Sequence, residues 1–343
     1  TPAHAVINLA VEQCRRDRLA RRFDKLANAV LRRVAAEGPA IRDSLDAPRL
    51  DIPAWLWRRW SAAYGEPVAR RIAEASLREA PLDVTVKDDA AGWAERLHGH
   101  VVSGASIRLL EPGRIEELPG YEDGAWWVQD AAAALPARLL GSVRGLRVAD
   151  LCAAPGGKTA QLASAGAMVT AVDASAKRLA VLRQNVRRLR LEASVDVVEA
   201  DVGSWSPAQR FDVVLLDAPC TATGTLRRHP DILRLKSEED VSRLAALQAR
   251  LLRRAADLVA PGGTLIYCTC SLQPEEGEQQ VEGFLESHRD YARAAVDPSE
   301  LGGAAEWISP AGDVRTLPHH LSLEHPDLSG MDGFYAARLK RAP

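Results

Sequence analysis

The 343-residue sequence predicts a doubly wound α/β domain preceded by helical and mixed segments. Three observations carry that expectation. Short β-branched runs recur from about residue 146 onward, stretches of helical periodicity separate them, and acids or cysteines stand where the runs end. Such alternation implies a parallel sheet with helices on both faces. An apolar share of 47% beside 26% charged residues supplies ample core. At roughly 150 residues per domain, the length allows two or three domains.

The helical part comes first. Residues 4–36 repeat apolar positions at helical spacing, first Val6, Leu9 and Ala10, then Leu26, Val30 and Leu31. Arg15, Arg16, Arg18, Arg21, Arg22, Lys25, Arg32 and Arg33 surround them, and a solvated helix face outweighs a phosphate-contacting patch as their reading. Gly38-Pro39 and Ala47-Pro48 punctuate the exit. In "IPAWLWRRWSAAYGEPVARRIAEASLREAP", Trp55, Trp57, Trp60 and Tyr64 stand where a helix buries aromatic bulk, so packing is expected rather than base stacking. Residues 83–110 hold short mixed segments, and "LPGYEDGAWWVQDAAA" at 118–133 reads as a Gly-rich loop opening a helix. The expected domains are 1–46, helical; 47–117, helical and mixed; and 118–343, the α/β domain.

The strands follow. "LRVADLC" (146–152), "AMVTAVDA" (167–174), "SVDVVEAD" (194–201), "FDVVLLDAPC" (211–220) and "GTLIYCTCS" (263–271) are the runs, with "GFYAARLKR" (333–341) as a last strand. Between them, Leu179, Leu182, Val186 and Leu189 share one helix face, with arginines on the other. In such sheets, ligands bind beyond the carboxyl ends of the strands. Asp150 with Cys152, Asp173, Asp201, Asp217 with Cys220, and Cys268 with Cys270 gather there.

"CAAPGGKT" (152–159) fails the P-loop pattern, because Cys152 stands where glycine is required, and it is not G-x-G-x-x-G either. Gly156 and Gly157 still let a ligand approach the backbone between strand and helix. Asp173, 23 residues after Asp150, has the spacing of a second-strand carboxylate on ribose hydroxyls. Together they suit a nucleoside-bearing cofactor. NAD and S-adenosylmethionine both remain open, with the methyl donor preferred. Asp201 is placed to accept from an adenine amino group, and a strand-end turn is an equal alternative.

Composition narrows the setting. No apolar run approaches the roughly 20 residues of a membrane span, and no signal pattern opens the chain, so no membrane is expected. Thr1 in place of a methionine points to a removed upstream segment. Five scattered cysteines resemble no disulfide framework and lack the close-spaced partners of a zinc site, which fits a reducing cytoplasm and no metal. A net charge of −2 gives no global pull on nucleic acid, so binding must come from local patches. With only 5% aromatic residues, a broad stacking surface is not expected.

Cys268 and Cys270 lie two apart on a strand and so share a face. Burial is the ordinary fate of such thiols, but Cys270 ends the strand where the site should lie, with Ser271 and a turn behind it. Cys220 ends a neighbouring strand in "DAPC". An aspartate and a thiol three residues apart, facing a second thiol across a cleft, suit covalent chemistry on an electron-poor ring. Cytosine methylation at carbon 5 needs that set. A thiolate adds to carbon 6 and makes carbon 5 nucleophilic, an acid bonds the N3/N4 edge, and a base removes the carbon 5 proton. Free cysteine titrates near ~8.5, so the nucleophile needs an activating environment.

"DLCAAPGGKT", "VDAS", "EAD", "DAPCTATGTLRRHPD" and "CTCSLQPEEGEQQV", in this order over residues 118–341, resemble the motif series of the Sun family of RNA cytosine-5 methyltransferases. The resemblance implies a Rossmann-like S-adenosylmethionine methyltransferase domain. It makes Cys270 the nucleophile, gives Cys220 a part in product release, and leaves Cys268 structural. DNA cytosine-5 methyltransferases attack with the Pro-Cys thiol instead, which is the rival role for Cys220. By the same resemblance the cofactor is held by Cys152, Ala153, Ala154, Pro155, Gly156, Gly157, Lys158, Asp173, Asp201 and Asp217, and Asp217 faces the cytosine with help from Lys158. "FDKLANAVLRRV" (23–34) resembles the end of the NusB-like helical domain attached to the small-subunit rRNA member. An α-helical NusB-like remnant and a small α+β segment would then precede the catalytic domain. The expected function is cytosine-5 methylation of RNA, 16S rRNA foremost, by a monomer. The alternatives are a tRNA enzyme of the same family and a catalytically inactive NusB-like RNA-binding assembly factor. Arg227, Arg228 and His229 follow the catalytic loop and are expected to guide the RNA by phosphate contacts, against a solvated-loop alternative.

Overall fold

Helical periodicity in the first fifty residues becomes α1 (Ala3–Arg16), α2 (Asp24–Asp43) and α3 (Ala47–Asp51). The computed structural model, which describes residues 2–343, divides into one unit ending at Pro53 and a second spanning Ala54–Pro343. In the first, Ile7 and Val11 are buried, while Arg15 pairs with Asp24 and Arg33 with Glu37, each at 2.9 Å. These are solvated pairs of small energetic weight. α2 runs through Gly38 and Pro39, where the sequence suggested an exit. Proline deletes one helical hydrogen bond, and the turns on either side carry the helix across it.

The second unit opens with α4 (Ala54–Tyr64) and α5 (Glu66–Ser76). Leu56, Trp57 and Trp60 form the buried stripe of α4, so the tryptophans serve packing as expected. A four-stranded antiparallel sheet in the order β2-β3-β1-β4 follows. It comprises β1 (Leu82–Val86), β2 (His100–Ser103), β3 (Ser106–Leu109) and β4 (Trp126–Val128), with α6 (Ala90–Arg96) between β1 and β2. β4 replaces the expected loop-to-helix passage, because two tryptophans and a valine suit a pleated surface and pair with β1 from Val84 to Val86. The mixed segment therefore reaches Val128 rather than stopping at 117. At its heart Arg108 is fully buried and donates to both carboxylate oxygens of Asp83 at 2.7 Å. It also donates to the carbonyls of Leu328 and Gly330 at 2.6 Å, tying this sheet to the C-terminal segment.

After the short α7 (Leu135–Arg138), the predicted alternation appears as β5 (Arg147–Leu151), α8 (Gly157–Ser164), β6 (Met168–Asp173), α9 (Ala176–Arg188), β7 (Val195–Glu199) and β8 (Phe211–Asp217). Then come α10 (Ile232–Leu235), α11 (Glu238–Asp257), β9 (Val259–Thr269), α12 (Glu278–Ser287), β10 (Tyr291–Arg293), β11 (Val314–Thr316) and β12 (Phe334–Arg341). The large sheet runs β10-β12-β9-β8-β5-β6-β7, with β11 paired to β12. The five strands β9-β8-β5-β6-β7 are parallel, while β12 lies antiparallel against β9 with Ala336 opposite Cys268. Both faces are covered, as expected of a doubly wound sheet. Ala149, Leu151, Val214 and Leu216 pack on α11 and α12, while Val148, Val213, Leu215 and Ile266 pack toward α7 and α8.

The Arg108–Asp83 pair yields a stability test. Arg108→Met should cost about 3–5 kcal/mol, because it strands a buried carboxylate. Urea unfolding measures it, and a loss below about 1 kcal/mol, the worth of an exposed pair, would contradict this role.

Candidate active site

β5 ends beneath a loop that only special backbone geometry permits. Cys152 takes a left-handed φ of 61°, Gly156 one of 104°, and α8 starts at Gly157. A Cβ on Gly156 would sit 3.0 Å from Leu182, so packing reinforces the conformational demand for glycine. Above this loop lies a cavity of about 480 Å³. Asp150, Ala153, Ala154, Pro155, Gly156, Gly157, Lys158, Asn185 and Asp217 line it, with Ile115, Tyr121 and Gln129 also on its wall.

Asp150 passed unassigned in the sequence. It is fully buried, and one oxygen accepts from Thr159 Oγ1 at 2.6 Å while the other has no hydrogen-bond partner among the described residues. Burial pushes its carboxyl up to about 7. An orphaned carboxylate oxygen at a cavity wall calls for a hydrogen-bond donor, and a cationic ammonium fits it best. The amino-acid end of S-adenosylmethionine carries such a group. The signal in the sequence was an aspartate among the apolar Val148, Ala149 and Leu151 of β5.

Three expected cofactor residues stand off the cavity lining. Asp173 is buried and already engaged, accepting from Ala154 N at 3.2 Å and Ser175 N at 3.0 Å beside Arg178 at 3.3 Å, so it shapes the loop. Asp201 is exposed and accepts from Gly203 N at 2.9 Å, the geometry of the strand-end turn. The Cys152 thiol is pushed up to about 12 by burial and by Asp217, Asp173 and Asp150, which leaves it unreactive.

The reactive groups meet where β8 and β9 end. Lys158 Nζ donates to Asp217 Oδ2 at 2.8 Å, and the buried Cys268 Sγ lies 3.7 Å from Oδ1. Burial works against the lysine's charge, yet Asp217, Cys268 and Asp150 hold its pKa above the ordinary value. Cys268, expected to be structural, thus packs against the carboxylate. Cys220 and Cys270 bring their sulfurs to 3.5 Å, both half-buried. The Cys220 thiol is held well above the ordinary cysteine range by its hydrogen bond to Cys270 and then by burial, so it keeps its proton.

A network behind the sulfurs sets that distance. Glu276 is fully buried. Its Oε1 accepts from Thr221 N at 2.9 Å and Gln248 Nε2 at 3.0 Å, and its Oε2 accepts from Ser271 Oγ at 2.5 Å and from the Thr221 hydroxyl. Thr221 follows Cys220 and Ser271 follows Cys270, so one carboxylate anchors both thiol-bearing turns. Gly224 N donates to the Cys270 carbonyl at 2.9 Å, and a Cβ there would fall 1.9 Å from the Gly333 carbonyl. From α4, Tyr64 donates to the Leu272 carbonyl at 2.6 Å.

The arginines after the catalytic loop face inward, which corrects the expectation that they meet phosphate directly. The side chain of Arg227 is 2% exposed and lies 3.7 Å from both Asp130 and Asp332. Arg228 donates to Asp130 at 2.6 Å and to the Pro81 carbonyl at 3.2 Å. Buried carboxylates claim both guanidinium groups, and of the three only His229 is exposed.

Residues 137–340 match the family model described as 16S rRNA methyltransferase RsmB/F. Over 358 aligned positions the chain is 37% identical to a ribosomal RNA small subunit methyltransferase B from Xanthomonas campestris, covering 99% of this chain and 77% of that protein. A protein of the same name from Vibrio cholerae is 35% identical over 356 positions, with the same coverage of each. Among solved structures, a methyltransferase homolog protein from Pyrococcus horikoshii aligns with a TM-score of 0.66 at 27% identity, over 83% of this chain and 93% of that one. With the Rossmann-like sheet and the cofactor cavity in place, the chain belongs to the RsmB/F family of S-adenosylmethionine-dependent methyltransferases.

Proposed function

We propose that the protein methylates carbon 5 of a cytosine in RNA, 16S rRNA foremost, through a covalent bond between Cys270 and carbon 6. One observation carries the reading. Two thiols stand 3.5 Å apart beyond the ends of β8 and β9, and the aspartate that ends β8 is held by a lysine on the wall of the cofactor cavity. The names of the Xanthomonas and Vibrio relatives support ribosomal RNA as the substrate.

When bound, S-adenosylmethionine supplies an electrophilic methyl group, and this chain's residues do the rest. Cys270 gives up its thiol proton to solvent as its sulfur bonds to carbon 6, and the pair displaced from the carbon 5–carbon 6 double bond makes carbon 5 nucleophilic enough to take the methyl. Asp217, steadied by Lys158, accepts from the cytosine N4 amino group and fixes the ring. Loss of the carbon 5 proton to a base then breaks the sulfur–carbon 6 bond and restores the ring. Cys220, held protonated beside the departing sulfur, donates to it and eases release. Both thiols must stay reduced, which agrees with a cytoplasmic setting. A binding-only assembly factor would have no use for the pair.

Cysteine variants test the assignment. Wild-type protein should form a denaturation-resistant conjugate with 5-fluorocytosine RNA, and Cys270→Ser should form none. Cys220→Ala should accumulate conjugate even on ordinary RNA, because release fails, while Cys268→Ala should keep turning over. Conjugates that vanish with Cys220→Ala and persist with Cys270→Ser would reverse the two roles.

Glu276→Gln places an amide among groups that all donate. Loss of a charge-assisted hydrogen bond worth about 1.5–3 kcal/mol should lower kcat roughly 10- to 100-fold, with cofactor affinity retained. Unchanged kcat, or an equal loss of cofactor binding by calorimetry, would remove Glu276 from this role.

A further inference from the structure

A second cavity, of about 360 Å³, shares no lining residue with the cofactor cavity. Its wall is cationic. Arg71 on α5 and Arg78 just beyond it are exposed, and neither guanidinium has a hydrogen-bonding or ion-pairing partner among the described residues. The carboxylate on the rim, Glu74, is paired with Arg70 at 3.2 Å. Behind them, the buried Arg227 reaches the Ser329 carbonyl with Nη1 at 3.4 Å, its Nη2 lies against Asp130 and Asp332, and its Nε makes no hydrogen bond among the described residues. His319 adds a buried Nδ1 with no hydrogen-bond partner among the described residues.

Unsatisfied buried polar groups require an explanation, and here they converge with two uncompensated arginines on one concave surface. The ligand that answers them is an anion with several acceptor oxygens, for which a guanidinium fork is the matching donor. Burial, then His320 and Arg71, depress the His319 pKa to about 4, so in the free protein the ring is neutral amid positive charge. Arg227 belongs to the segment that carries Cys220, which connects the cavity to the catalytic loop rather than to a remote effector site.

We propose that this cavity is a phosphate subsite that holds a phosphodiester of the RNA substrate, contacted by Arg71 and Arg78 at the rim and His319 within. Arg227, held by Asp130 and Asp332, forms its back wall. The inference rests on RNA being the substrate.

Arg71→Ala combined with Arg78→Ala tests it, since both side chains are exposed and the fold does not depend on them. The slope of log affinity for RNA against log salt should flatten by about 1.4, two counterions at about 0.7 each on a single strand. KM for RNA should rise more than kcat falls. Arg250→Ala with Arg253→Ala, two exposed arginines on α11, is the control and should change neither. An unchanged slope in the first pair, or an equal change in both pairs, overturns the subsite. If wild-type protein shows no salt-dependent RNA binding at all, the RNA reading itself has failed. The source of the phosphate is read from the His319 ring resonance, identified by its loss in His319→Gln. A shift with RNA and none with millimolar inorganic phosphate supports the assignment, and a shift with inorganic phosphate alone overturns it.

Discussion

Glu276 is fully buried, and a carboxylate survives at such a position only when donors surround it. The donors come from three separate stretches of chain: Thr221 beyond β8, Ser271 beyond β9, and Gln248 on α11. Gln248 also donates to the Pro219 carbonyl at 2.9 Å, so even the residue before Cys220 is held by this network. Each turn bears one sulfur, and neither turn could shift without leaving the carboxylate short of a partner. The thiol separation is thus a consequence of satisfying one buried charge.

A second buried cluster gives the site its electrostatics. Lys158 stands between Asp150 on β5 and Asp217 on β8, and the carboxylates keep it charged despite burial. The two aspartates then part in role. Asp217 is fixed by the lysine and touched by Cys268, whereas Asp150 has one oxygen free toward the cofactor cavity. Parallel pairing makes this possible, because β5, β8 and β9 all end along one edge of the sheet.

Much of this was legible in the sequence for a local reason. The β-branched runs at 146–152, 167–174 and 211–220 became β5, β6 and β8, because a strand buried on both faces reveals itself by composition. Cys220, Cys270 and Asp217 drew notice because the ends of such strands are where sites form, whereas Lys158 was singled out by the family resemblance alone. What escaped depends on partners distant in the chain. β4 is three residues long and exists through its pairing with β1. Arg228 is read as a surface charge until Asp130, 98 residues away, is seen to hold it. "PEEGE" looks like a solvated acidic turn, and only Thr221, 55 residues upstream, shows that Glu276 faces inward.

One carboxylate couples the two thiol-bearing turns, and a double-mutant cycle on kcat measures that coupling directly. Thr221→Val and Ser271→Ala each remove one hydroxyl from Glu276, and the cycle is run in the wild-type and Glu276→Gln backgrounds. The expected coupling is about 0.5–3 kcal/mol in the first background and collapses in the second. Effects that add within about 0.3–0.5 kcal/mol in wild type, or a coupling that persists without the carboxylate, would contradict it.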